Sequence, residues 1–210
     1  MRLWDADWAP NPRRVRIYLA EKGIELERQK VDLASGAHLR PDFLALSPRG
    51  TVPVLELDDG ETIADSVAIC RYLEAIHPAP PLFGATPREA ARIEYWTRRI
   101  EAEGYSAVAD AFRNRSRHMV DRALPGAWPP IAQIPALVDR GKRMFEIFVE
   151  TLDARLADRS WIASDSYSFA DLTAFVTVEF AIATRLSDGR FPPALARWHA
   201  ALAERPSARA

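Results

Sequence analysis

The sequence predicts two unlike halves, a small α/β domain followed by an all-helical one. Three observations carry that prediction. Short strand-like and helical patterns alternate through the first third of the chain. A Pro-dense stretch, PAPPLFGATP, occupies residues 78–87 and reads as a boundary. Beyond it the long patterns all have helical spacing, and none alternates as a strand does. The expected division is a domain over 1–77, a linker over 78–87 and a helical domain over 88–210.

The elements follow in order. MRLWD (1–5) reads as a strand. Pro12 to Lys22 reads as a helix, with Val15, Tyr18, Leu19 and Lys22 on one face and Gly23 as its stop. Pro12 suits a first helical position, where its missing N–H had no intrahelical partner anyway. IELERQKVDL (24–33) alternates apolar and polar residues, as a half-buried strand does. PDFLALS (41–47) is a short helix. VPVLELDDGETI (52–63) is a hairpin about a DDG turn. ADSVAICRYLEAIHP (64–78) is a helix ending before Pro78, with Val67, Cys70, Leu73 and Glu74 along one side. The order is βαβ, a loop with a short helix, then ββα.

In the second half, helices are expected over 88–112, 136–157, 168–186 and 193–205, with a loop from Arg113 to Pro135. Ser168 and Asp171 open the third of these as a capping box, an acid standing where Glu is commoner, and Tyr167 and Leu172 flank it as a hydrophobic staple.

The 210 residues are 48% hydrophobic, enough for a core in one large domain or two small ones. With 28 Lys+Arg against 29 Asp+Glu, the net charge of −1 provides no electrostatic grip on nucleic acid or an anionic membrane. No apolar run approaches the roughly 20 residues that span a bilayer. The opening MRLWDADWAP is too polar and Pro-broken for a secretory signal. The single cysteine, Cys70, excludes an internal disulfide, so a reducing cytoplasm is the expected compartment. His77, His118 and His199 lack metal-ligand spacing, so no metal is expected. No Gly-rich phosphate motif is present.

Function concentrates in TVPVLELDDGETIADSVAICRYLE (51–74). Pro53 at the start of a strand cannot donate to a sheet ladder, and a cis Val52–Pro53 bond answers that. Asp65-Ser66 stands at a helix start, where backbone N–H groups favour an anion and the Ser hydroxyl adds a donor. The neighbouring carboxylate holds an ammonium. Together they suit the zwitterionic end of an amino acid.

These residues, with NPRRVRIYLAEKGIE, SPRGTVPVLELDDG and SFADL, resemble the cytosolic glutathione transferase family over nearly the whole chain. The resemblance implies a thioredoxin-like N-terminal domain with a mixed four-stranded sheet, followed by an all-α domain. It implies a cytoplasmic homodimer with a detoxification role that conjugates reduced glutathione, a co-substrate and not a permanently bound cofactor, to a hydrophobic electrophile. It assigns backbone contacts with the cysteinyl part to Val52, a cis bond to Pro53, the γ-glutamyl end to Asp65 and Ser66, and the glycyl end to His38 and Arg40. Thr51 stands where many relatives carry a Lys that helps to bind glutathione. By the family pattern, Trp8, Tyr105 and Phe112 wall the electrophile pocket, and Arg113, Arg115 and Arg117 either greet an anionic substrate or are solvated charges.

The opening loop departs from that pattern. Where relatives place Ser, Cys or Tyr beside the thiol, this chain reads Trp8-Ala9-Pro10-Asn11. Lowering a thiol pKa from about 8.5 to about 6.5 takes roughly 2.7 kcal/mol. One hydrogen bond to a charged group contributes about 1.5–3 kcal/mol, and a helix N-terminus about 0.3–1. One donor and one helix end therefore suffice. Asn11 is the candidate catalytic residue, its amide oxygen capping the helix at Pro12 while its NH₂ faces the sulfur, with Arg13 or Arg14 adding positive potential. The plainer readings are an ordinary N-cap for Asn11, solvated surface charges for Arg13, Arg14 and Arg16, a simple cap for Asp65-Ser66, a loop residue for His38 and a small core residue for Cys70. Against conjugation stand a glutathione-dependent peroxidase, dehalogenase or isomerase, and a non-catalytic glutathione- or hydrophobe-binding carrier.

Overall fold

The computed structural model describes residues 1–210. The chain forms two compact units. One holds Met1–Pro80, Leu124–Pro129 and the last residue, and the other holds Pro81–Ala123 and Pro130–Arg209.

The first unit runs β1 (Arg2–Asp5), α1 (Pro10–Lys22), β2 (Glu27–Lys30), α2 (Pro41–Leu46), β3 (Val54–Glu56), β4 (Thr62–Ile63) and α3 (Ser66–Ile76). The sheet order is β2-β1-β3-β4, with β1 and β2 parallel and β3 antiparallel to both β1 and β4. This is the expected mixed sheet. Alternation along the strands divides the core. Trp4 and Val54 pack with Phe43 of α2 and with Val31. Leu3 and Leu55, one step along each strand, are fully buried and point to the other face. The α1–α3 pair buries Val15, Tyr18 and Leu19 from α1 and Ile69, Cys70 and Leu73 from α3.

Two local expectations are corrected. The first helix begins at Pro10, not Pro12, with Ala9 as its cap in extended conformation. Prolines at the first and third helical positions are tolerated because neither needs to donate there. β2 is shorter than its alternating pattern and is not half-buried. All four of its residues are exposed, and it lies at the edge of the sheet. Its charged side chains blunt that edge, and the first buried apolar residue is Val31, just past its end.

The second unit holds α4 (Pro87–Arg99), α5 (Ser106–Arg115), α6 (Ala136–Leu156), α7 (Phe169–Ala183) and α8 (Pro193–Ala203). The helix expected over 88–112 is broken in register by a π-helical turn, Ile100–Tyr105. Gly104 lies in that turn, where a Cβ would come within 2.7 Å of the Phe148 ring. The backbone packs where a side chain has no room. α7 is buried on almost every side, which is why its sequence shows no amphipathic stripe. Its capping box is formed: Ser168 and Asp171 each cap the other's backbone. Tyr167, expected as a staple, meets the Trp161 ring edge-on at 5.5 Å. No helix is long and apolar enough to cross a membrane.

Candidate functional site

Strand register brings three candidate segments to one end of the sheet. Trp4 faces Val54 across β1 and β3, so the loop after Asp5 lies opposite the residues preceding β3. Leu55 faces Ile63 across β3 and β4, which places the start of α3 at the same end. The Ala6–Ala9 loop, Val52-Pro53 and Asp65-Ser66 therefore converge.

The start of α1 is open. Ala9 has no side chain to cap it. The Arg13 N–H already binds the Ala9 carbonyl at 3.1 Å. Pro10 and Pro12 have no N–H. Among the first helical amides, only that of Asn11 lacks an internal acceptor, and its side-chain amide makes no bond within the protein. Asn11 is thus the second residue of the helix, not its cap. The expected division, oxygen on the backbone and NH₂ toward the sulfur, is replaced by two donor groups without a partner in the protein.

Of the three arginines next along α1, Arg13 is partly exposed, but Arg14 and Arg16 are not surface charges. Arg14 is only 2% exposed, and its Nη1 donates to Ser66 Oγ at 3.1 Å. Arg16 is also buried; it donates to Asp5 Oδ1 at 2.8 Å and to the Asp7 carbonyl at 2.8 Å. Burying a guanidinium is costly unless it is paired, and here the pairing braces two parts of the site. Arg16 holds the loop before α1, and Arg14 ties α1 to the start of α3. Arg28 joins Asp5 through Nε at 2.8 Å, so this fully buried carboxylate faces two cations.

At α3, Asp65 Oδ1 accepts from the Val67 and Ala68 N–H groups at 2.9 and 3.0 Å. Its other oxygen stays open. Ser66 accepts from Arg14 and keeps its own proton to donate. The Val52–Pro53 bond is cis. Val52 precedes β3, and its N–H and C=O have no partner within the protein. His38 is buried while Arg40 is exposed, so of the two only Arg40 presents its charge to solvent. Burial pushes the Cys70 thiol well above its ordinary pKa, as fits a core residue.

In the helical unit, the Tyr105 ring stacks on Phe180 at 5.8 Å and the Phe112 ring meets the same Phe180 edge-on at 5.9 Å. All three make one aromatic wall. The neighbouring arginines are engaged inside the unit. Arg113 donates to the Arg122 and Ala123 carbonyls, and Arg115 to that of Thr184. Arg113 is partly buried by these bonds, while Arg115 and Arg117 are exposed, as solvated charges are.

Comparison with known proteins meets this geometry. Residues 8–76 match the family model "Glutathione S-transferase, N-terminal domain", and residues 135–201 match "Glutathione S-transferase, C-terminal domain". The chain is 35% identical to glutathione S-transferase 2 of Saccharomyces cerevisiae, over 99% of this chain and 87% of the relative. The chain belongs to the glutathione S-transferase family. A solved glutathione S-transferase domain-containing protein from Marinobacter aquaeolei superposes with a TM-score of 0.88 at 36% identity, covering 99% of both chains. A shorter likeness, 40% identical over 44% of each chain, is to maleylacetoacetate isomerase of Pseudomonas aeruginosa. The protein is accordingly a transferase of a family that uses glutathione as co-substrate.

In this glutathione transferase, Asn11, Val52, Pro53, Asp65 and Ser66 gather at one end of the N-terminal sheet. Trp8 belongs to the same unit and is 60% exposed, while Tyr105 and Phe112 share their wall in the helical unit. Sequence reasoning missed Phe180 and the bracing by Arg14 and Arg16. Basic side chains in the first two turns of an otherwise apolar helix were the available signal.

Proposed function

We propose that this transferase binds glutathione at the end of its N-terminal sheet and activates the thiol with the two donor groups of Asn11. The single observation that carries the reading is the uncapped first turn of α1, whose only open N–H belongs to Asn11. A thiolate is the anion that such a helix end favours. The open backbone of Val52 suits the cysteinyl peptide group. Ser66, with the Arg14 charge behind it, suits the γ-glutamyl carboxylate, and the open oxygen of Asp65 suits the ammonium. Arg40 is the exposed cation available to the glycyl carboxylate.

The thiol proton leaves to solvent. The thiolate then attacks an electrophilic carbon, the C–S bond forms, and the leaving group departs with its electron pair. Trp8 in the first unit, and separately the Tyr105–Phe112 wall in the second, are each apolar surface of the kind a hydrophobic electrophile needs. The protein supplies positioning and charge stabilisation. A homodimer in the cytoplasm completes the reading.

Ultraviolet titration of the thiolate in bound glutathione tests it. The expected thiol pKa is about 2 units below the ordinary value near 8.5, and Asn11→Ala raises it by about 1 unit, or about 1.4 kcal/mol. Tight binding with an unshifted pKa replaces catalysis by carriage. The name of the Pseudomonas aeruginosa relative favours one second reading, glutathione-dependent isomerisation, and product analysis separates the two: an isomerase returns its glutathione unconsumed.

A further inference from the structure

Between α5 and α6 the chain contributes six residues, Leu124–Pro129, to the N-terminal unit, while Ala123 and Pro130 on either side belong to the helical one. This excursion is a built finger. At its base, the Ala123 N–H binds the Ile131 carbonyl at 3.1 Å and the Ile131 N–H binds that of Asp121 at 2.8 Å. Arg113 donates to the Arg122 and Ala123 carbonyls. Gln133 Nε2 donates to the Ser116 carbonyl at 2.8 Å, and Asn114 Oδ1 accepts from the Ile134 N–H at 2.8 Å. At its tip, Trp128 Nε1 closes on the Pro125 carbonyl at 3.1 Å.

The tip grips one turn. The Ala127 N–H binds the Arg49 carbonyl at 2.7 Å. The Arg49 guanidinium lies 3.7 Å from the centre of the Trp128 ring, a stacking distance for a planar cation on an aromatic face. Gly126 has φ +100°, and a Cβ there would overlap the Arg49 carbonyl oxygen and come within 3.2 Å of Thr51 Cγ2. Only glycine allows so close an approach. Arg49 and Thr51 belong to the turn closed by the Gly50 N–H on the Ser47 carbonyl at 2.7 Å and by Ser47 Oγ accepting from the Thr51 N–H at 3.2 Å. The next residue is Val52, with its open backbone groups.

We infer that the finger is a positioning element for glutathione: Trp128, acting through Arg49, holds the Ser47–Thr51 turn so that Val52 meets its ligand already ordered. The inference rests on the reading that Val52 binds glutathione. Its physical basis is preorganisation. A turn that must be ordered on binding weakens affinity by the entropy of ordering, whereas a turn already fastened does not. The thiol chemistry lies at α1, so the finger acts on affinity and leaves the chemical step alone.

The test is glutathione affinity by calorimetry, with KM for glutathione and kcat at saturating electrophile, on the full chain. Trp128→Ala raises Kd and KM for glutathione about tenfold, with kcat within about twofold of the parent. Trp128→Phe, which keeps an aromatic face for Arg49, restores most of the affinity. Arg49→Ala, an exposed substitution that spares the fold, reproduces the Trp128→Ala effect, and the double variant is no worse than the worse single one. Unchanged Kd in both single variants, or additive losses in the double one, overturns the inference while the glutathione reading stands. A parent protein that binds no glutathione overturns both.

Discussion

Helices α1 and α7 begin in opposite ways. α7 starts inside a closed set of bonds. Asp171 Oδ1 accepts from the Ile162 N–H at 2.9 Å and Trp198 Nε1 at 3.1 Å, and Oδ2 accepts from the Ser168 N–H at 3.1 Å and Ser168 Oγ at 2.8 Å. α1 starts with an alanine, two prolines and one asparagine whose donors reach nothing in the protein. Helix starts leave N–H groups that need partners. Where the protein supplies them, the end contributes to folding; where it withholds them, the end is available to a ligand. α3 lies between the two, with one oxygen of Asp65 capping the helix and the other open.

The contrast is broken most severely at Asp171. Asp171→Ala strands four buried donors, and the expected loss is at least about 3 kcal/mol of unfolding free energy. Denaturant titration reads it, and glutathione affinity per folded molecule stays at the parent value. An α7 start that tolerated the change would not be a folding element.

Asp65 separates the two roles within one residue. Asp65→Asn keeps a good cap, since Asn and Asp serve alike there, but removes the charge that faces an ammonium. Stability stays within about 0.5 kcal/mol, while glutathione binding weakens by about tenfold to a hundredfold, the range of one charged hydrogen bond. Equal losses in stability and affinity would make the residue only a cap.

The contrast also has a pH dependence. Burial raises the Asp171 carboxyl from its ordinary 3.8 to about 6, although its hydrogen bonds pull the other way. Between those values the folded state keeps a proton that the unfolded state has released. Stability from this group is therefore full below about pH 4 and falls as pH rises to about 6, by up to about 1.4 kcal/mol per unit. Asp171→Asn removes that slope, and unfolding free energies measured across pH 4–7 check it.

Elements set by neighbours in sequence were legible. Gly23 stops α1, the DDG turn folds its hairpin, and Ser168 and Asp171 close their box, because each device acts across a few residues. The same holds for Asp65-Ser66 at the start of α3. Burial of charge was not legible. Arg14 and Arg16 looked like surface residues because nothing nearby in sequence announces Ser66, 52 residues away, or Asp5, in another element. Strand β2 misled in the other direction, since alternation signals a pleat but does not say whether the strand lies inside a sheet or at its edge.

Composition, periodicity and local motifs were thus enough for the α/β-then-helical order, for the family likeness, for the cis Val52–Pro53 bond and for the helix start at Asp65-Ser66. Only the folded chain decided that α1 begins at Pro10, that Asn11 keeps both donor groups open, that two arginines brace the site from below, and that Leu124–Pro129 grips the turn before Val52. The first set depends on interactions a few residues apart, which a sequence displays directly. The second depends on which distant groups meet, and that is fixed by how sheet register and helix packing satisfy buried charge and backbone polarity at the same time.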